Sequence, residues 1–147
     1  MRCFFDVPGE AKGKARPKST IINGHSRVYT PAKQIEYENW VRLCFFDQYP
    51  EAKEGPLFKE GHGVAISITI HRKMPASFSK KKKNLMNGRG CLTKPDADNV
   101  AKSICDALNG IAYHDDAQIY KVCVRKVWSH DASHCSVSLF GEEEKLL

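Results

Sequence analysis

Val64, Ile66, Ile68 and Ile70 alternate with Ala65, Ser67 and Thr69, the period-two pattern of a strand with one buried face. Shorter versions predict a first strand over 2–7, a strand over 119–128 carrying Val122, Val124 and Val127, and a last strand through Cys135, Val137 and Leu139 before a frayed Glu142–144 tail. Asn23-Gly24 between 19–22 and 27–30 is a strong hairpin signal. Helical spacing occurs twice. Pro31 suits a first turn capped by Thr30, and Ile35, Trp40, Val41, Leu43, Cys44 and Phe45 form one broad face until Pro50. Tyr37, Trp40, Phe45 and Phe46 are read as core on this spacing. Val100, Ala101, Ile104, Cys105 and Leu108 form the second apolar face, with Asp96, Asp98 and Asn99 as available caps and Asn109-Gly110 as the stop. With no repeat or linker, the pattern predicts one α+β domain over 1–147, a mixed β-sheet with two main helices.

The composition, 41% hydrophobic and 27% charged over 147 residues, is that of an ordinary globular chain with enough length for a core. Twenty-three Lys and Arg against 17 Asp and Glu leave +6, which favours a polyanionic partner. Six cysteines without a C-x-x-C pair read as free thiols in a reducing compartment. Charge interrupts Met1–Asp6 too early for a signal peptide, and no apolar run approaches the ~18 residues of a membrane span. The expected location is the cytoplasm, with no membrane partner.

Against this basic background, Asp96, Asp98, Asp106, Asp115 and Asp116 fall within 21 residues. Pro95 biases Lys94 towards extended backbone, so a strand enters the helix through an acidic elbow. Asp98, Lys102 and Asp106, four apart, lie on the face opposite the apolar one. A helix from Asn99 to Asn109 climbs roughly 16 Å, and residues 111–115, if extended, descend about as far. Asp115 or Asp116 is then expected to return beside Asp96 and Asp98, completing an open all-oxygen site of the kind Mg²⁺ or Mn²⁺ accepts. Asp96-x-Asp98 also opens an EF-hand loop, but Val100 and Ala101 occupy the required ligand and glycine positions. His130 and His134 have the spacing of a zinc pair but no matching partners, and read as surface residues.

Cations surround the elbow. No acidic residue occurs between His71 and Lys94, and Lys80, Lys81, Lys82, Lys83, Arg89 and Lys94 are assigned to nucleic acid on a polar, mobile arm. Arg16 and Lys18, at the end of the Gly-containing basic loop 8–17, join them.

The string Lys94-Pro95-Asp96-x-Asp98-Asn99-x-x-Lys102, followed by Asp106-Ala107-Leu108-Asn109-Gly110 and Asp115-Asp116-x-Gln118, resembles the signature of the RusA-type Holliday junction resolvases. Arg16-Pro17-Lys18 and Ser79–Lys83 resemble that family's basic segments more loosely. The resemblance implies a RusA-like fold and a Mg²⁺-dependent homodimer that resolves four-way DNA junctions in recombination and repair. Asp96, Asp98 and one of Asp115 and Asp116 would hold the metal. The residues leave that pair open, and the resemblance points to Asp116. Lys102, one turn beyond Asp98, would neutralise a phosphoryl oxygen or position the water, and Asp106 would pair with Lys102 or brace a loop. Two other readings stand beside this one: a basic DNA-binding protein without catalysis, and a metal-dependent phosphoesterase acting on flaps or other branched DNA.

Overall fold

The sheet is assembled on β4 (His62–Lys73), whose residues alternate as the sequence predicts: Val64, Ile66, Ile68 and Ile70 are all at most 2% exposed. The computed structural model describes residues 1–14, 18–29 and 32–147. On one side β4 pairs antiparallel with β6 (His134–Lys145), which pairs antiparallel with β1 (Arg2–Pro8). On the other it pairs parallel with β5 (Ile119–Ser129). The result is a mixed four-stranded sheet in the order β1-β6-β4-β5. A parallel pair needs a crossover, and here the crossover carries α2 (Lys80–Met86) and α3 (Ala97–Leu108). A separate hairpin, β2 (Lys18–Ile22) and β3 (His25–Tyr29), turns at Asn23-Gly24, both with positive φ.

α1 (Ala32–Gln48) and α3 lie together on one face of the sheet and close the main core. In α3 the buried set is Val100, Ala101, Ser103, Ile104, Ala107 and Leu108, close to the predicted face. In α1 it is not. Tyr37, Glu38, Val41 and Phe45 are buried, whereas Ile35, Trp40 and Leu43 remain 47%, 42% and 60% exposed. Packing against both the sheet and α3 selects the narrow stripe 37-41-45, one residue per turn, and the Trp40 indole instead donates to the Pro8 carbonyl at 2.7 Å. The cap expected at Thr30, with Pro31 in the first turn, lies outside the described residues.

Two further expectations change. The Lys80–Lys83 run is a helix, not a mobile arm: Ser79 caps it by accepting from the Lys82 amide at 3.1 Å. It sits over a second small core of Met74, Cys91 and Trp128, flanked by Phe78 and Met86. The acidic tail is not frayed either, because β6 continues to Lys145, which pairs with His62. All six cysteines are free, and burial first among the causes pushes the Cys3, Cys105 and Cys135 thiols up to about 11. Buried thiols of this kind are poorly reactive near neutral pH. Among the described residues no helix is long and apolar enough to cross a membrane.

Candidate active site

The acidic elbow is built on the free edge of β5. Residues 88–91 run antiparallel to that strand, Cys91 N donating to Lys126 O at 3.0 Å and Trp128 N to Arg89 O at 2.9 Å. Lys126 Nζ then holds the Thr93 carbonyl at 2.6 Å. The chain crosses a cis Lys94-Pro95 bond and reaches Asp96, the extended residue that starts α3. Its carboxylate makes no capping bond. It accepts from Lys94 Nζ at 2.8 and 3.0 Å instead, and that ammonium, helped by Lys126, holds the Asp96 carboxyl below its ordinary value. Asp98 follows in the first turn of α3, exposed beside the positive end of the helix, and Lys102 is exposed one turn on.

A second feature of the site comes from a residue that sequence spacing did not single out. The basic loop after β1 folds back against α3, with Lys14 N donating to Asn99 O at 2.9 Å. Gly13 lies so close that an added Cβ would stand 2.9 Å from Asn99 Cβ. From there Lys14 Nζ reaches Glu38 Oε1 of α1 at 2.7 Å and Asp106 Oδ2 of α3 at 3.1 Å. Arg42 adds to the cluster, 3.9 Å from Glu38 and donating to Ala107 O at 3.0 Å. Asp106 therefore braces a loop, as one of the two expectations has it, and its partner is Lys14 rather than Lys102. Burial lowers the Lys14 pKa, but hydrogen bonds and charge from Glu38 and Asp106 outweigh it and raise the ammonium above its ordinary value.

The return segment differs from the extended descent read from the sequence. Gly110 takes a positive φ and donates to Tyr113 O at 2.9 Å, while Ala112 N bonds Leu108 O at 2.9 Å. The chain thus turns tightly at the end of α3, and the Tyr113 hydroxyl bonds back to Cys105 O. Asp115 caps a single 3₁₀ turn, Asp116–Gln118. Gln118 closes a reciprocal capping box and does more: its Oε1 accepts from His114 N (2.8 Å) and Asp115 N (3.2 Å), and its Nε2 donates to Lys59 O (2.8 Å) and His62 O (3.0 Å). One side-chain amide so ties the acidic pair to the entrance of β4. The Asp115-x-x-Gln118 spacing is a readable capping box, but its grip on Lys59 and His62 is not local.

The turn places Asp116 beside the third turn of α3. Desolvation, a hydrogen bond that protonated Asp116 donates to Asp115, and the charges of Asp115 and Asp106 raise its carboxyl above the ordinary range. Asp106 is the α3 carboxylate whose charge acts on Asp116. Among the described residues no three His, Cys, Asp or Glu side chains of one chain gather closely enough to hold an ion. The acids instead form two groups, Asp96 with Asp98 at the start of α3 and half-buried Asp106 with Asp116 and its neighbour Asp115 towards the end of α3. The donor chemistry is all oxygen, and the like-charge crowding at Asp116 is what a hard cation relieves. Both points fit a divalent metal.

Cations border the first group. Lys80, Lys81 and Lys82 are exposed on α2, Lys83 is half-buried, and Arg89 and Lys94 are exposed on the segment leading to Asp96. Lys82 Nζ lies 4.1 Å from the centre of the Phe78 ring. Arg16 and the side chain of Lys18 lie outside the described residues. The His134 ring stacks on His71 at 4.2 Å and 7°.

Comparison with known proteins adds the family. A Bacillus subtilis (strain 168) protein described as "Uncharacterized protein YqaN" is 36% identical over 137 residues, covering 89% of this chain and 92% of that one. The family model described as "Endodeoxyribonuclease RusA" matches residues 8–139, a span that contains the Lys14 brace, the acidic elbow and the Gln118 clamp. The chain belongs to the RusA family of endodeoxyribonucleases.

Proposed function

We propose that this protein is a Mg²⁺-dependent, homodimeric endonuclease that resolves four-way DNA junctions, with Mn²⁺ as a substitute. The observation that carries this reading is a family match over 8–139 coinciding with α3, a helix that presents Asp98 and Lys102 to solvent and carries the braced Asp106, whose charge acts on Asp116. The family's nucleases are metal-dependent, and the bound ion supplies an activated water and charge compensation for the departing oxygen. Asp96, Asp98 and Asp116 are the proposed ligands, drawn together only when the ion binds because in one chain they stand in two groups, with Asp115 shaping the return through its capping box. Release of Lys94 frees Asp96 for this role, and solvent screening of this exposed pair makes that release easy. Lys102, exposed one turn beyond Asp98, is proposed to neutralise a phosphoryl oxygen. Lys80, Lys81, Lys82, Lys83, Arg89, Lys94, Arg16 and Lys18 are proposed to hold backbone phosphates. Two symmetric incisions across a junction call for two symmetric sites, hence the dimer.

The experiment is a cleavage gel with Mg²⁺ comparing a mobile four-way junction, a flap, duplex and single strand, run on the parent protein and on Asp98→Asn and Asp116→Asn. Paired cuts in the junction by the parent, lost in both variants while junction binding persists, support the reading. Flap cleavage alone moves the assignment to another branched substrate. Binding without any cleavage by the parent leaves a DNA-binding protein.

A further inference from the structure

The turn that carries Asp115 also walls a cavity of about 620 Å³, whose lining includes His62, Gly63, His114, Gln118 and Tyr120. Spaces of several hundred Å³ with few fixed polar groups are the size that takes a small organic group. Most of the polar wall is already committed. Gln118 spends its amide on four backbone partners, and His62 Nδ1 lies 3.1 Å from Glu142 O.

Tyr120 is held differently. It remains 56% exposed, yet its hydroxyl donates to the Glu142 carboxylate. One ring edge rests on Gly63, where an added Cβ would lie 3.0 Å from Cδ1 and 3.3 Å from Cε1. A ring fixed at tip and edge keeps π-surface open without the entropy cost of a free rotor. The same residue borders a second hollow, lined also by Phe140, Glu142, Glu143 and Glu144. That acidic run repels a phosphodiester, whereas the cavity on the Asp115 side is mixed in charge, with Lys145 and the exposed His114 set against Glu60 and Asp115.

We infer that Tyr120 is the stacking platform for a nucleobase unstacked at the branch of the DNA, received in the cavity beside Asp115. The inference rests on the endonuclease reading and adds a base-binding site to it. Aromatic stacking accepts any base, so the site selects an open, unpaired nucleotide over continuous duplex. Gln118 fixes the turn between Asp116 and Tyr120, and so sets the spacing from the acidic group to the platform.

The test uses the full chain and four-way junctions carrying 2-aminopurine, or an abasic residue, at successive positions across the branch. Binding is measured in EDTA, so that it needs no catalysis. The wild type is expected to change the 2-aminopurine fluorescence at one position. Tyr120→Phe, which keeps the ring and loses the Glu142 bond, should retain that signal, and Tyr120→Leu should lose it. An abasic residue at the same position should weaken wild-type binding roughly 5- to 100-fold and leave Tyr120→Leu unaffected. Thermal unfolding identical to wild type establishes that Tyr120→Leu is folded, and Tyr120→Phe provides the ring-retaining comparison in every arm. A signal that survives in Tyr120→Leu, or an abasic penalty equal in both proteins, overturns the inference even where Mg²⁺-dependent cleavage is normal. The ring-dependent signal with no cleavage under any metal supports the base site while removing the nuclease assignment.

Discussion

Replacing Lys14 by Met removes one charge from a cluster that joins three elements and leaves most of the side-chain volume in place. Lys14 Nζ lies 2.7 Å from Glu38 and 3.1 Å from Asp106, with side-chain exposures of 27%, 12% and 28% for the three residues. At an effective dielectric near 20, each contact is worth about 5–6 kcal/mol of Coulomb attraction before desolvation. Exposed pairs retain about 0–1 kcal/mol of that, and breaking a fully buried pair costs about 3–5 kcal/mol. The Lys14 cluster lies between these limits, so Lys14→Met is expected to destabilise the fold by about 2–3 kcal/mol, a Tm decrease of roughly 5–10 °C. Because the folded-state pKa of Lys14 is raised, this contribution is fully present below the unfolded value of 10.5 and is lost only as pH rises through the folded one. A neutral buffer therefore reads all of it. Urea unfolding followed by circular dichroism measures the loss, and the same substitution in an Asp106→Asn background should cost less, since one partner is already neutral. A Lys14→Met protein within about 0.5 kcal/mol of wild type, or an undiminished cost in the Asp106→Asn background, would refute the bracing role.

Three further outcomes are expected. Gln118→Met should lower stability by only about 1 kcal/mol, since water can reach the exposed backbone groups it releases, yet reduce Mg²⁺-dependent junction cleavage at least about tenfold through a loosened acidic turn. Parallel gel-shift and rate measurements separate the two effects. Gly13→Ala forces its Cβ against Asn99 Cβ at 2.9 Å and should cost about 1–3 kcal/mol by overpacking, read as a lower urea midpoint with unchanged slope. Burial, the His134 charge and Arg125 hold the His71 pKa below its ordinary 6.5, against smaller opposing effects of Asp6 and Asp131. The unfolded chain therefore takes up this proton more readily, and the stability tied to neutral His71 is complete above 6.5 and lost as pH falls towards the folded value. In His71→Gln, the drop in urea midpoint between pH 7.5 and 5.5 should be smaller than in wild type.

Local pattern in the sequence determined the parts of this protein that depend on neighbours in the chain. The alternation in β4, the Asn23-Gly24 hairpin, the apolar face of α3 and the acidic elbow all arise within a few residues, where backbone geometry fixes which side chains share a face. The family signature is legible for the same reason, being a set of fixed short spacings. Tertiary structure alone decided what those elements meet. Which stripe of α1 is buried follows from its two packing partners, and the Lys80–Lys83 segment is held in place by Trp128, far along the chain. Lys14 finds Asp106 across 92 positions, and Gln118 finds Lys59 across 59. The path of the return segment was open for a further reason. Residues 109–113 satisfy their backbone groups either in an extended run or in a turn against α3, and burial of Ala112 and Tyr113 in the core selects the turn. That choice set Asp116 beside Asp106, and no residue spacing could report it, because long-range packing, not local propensity, carries the larger free energy.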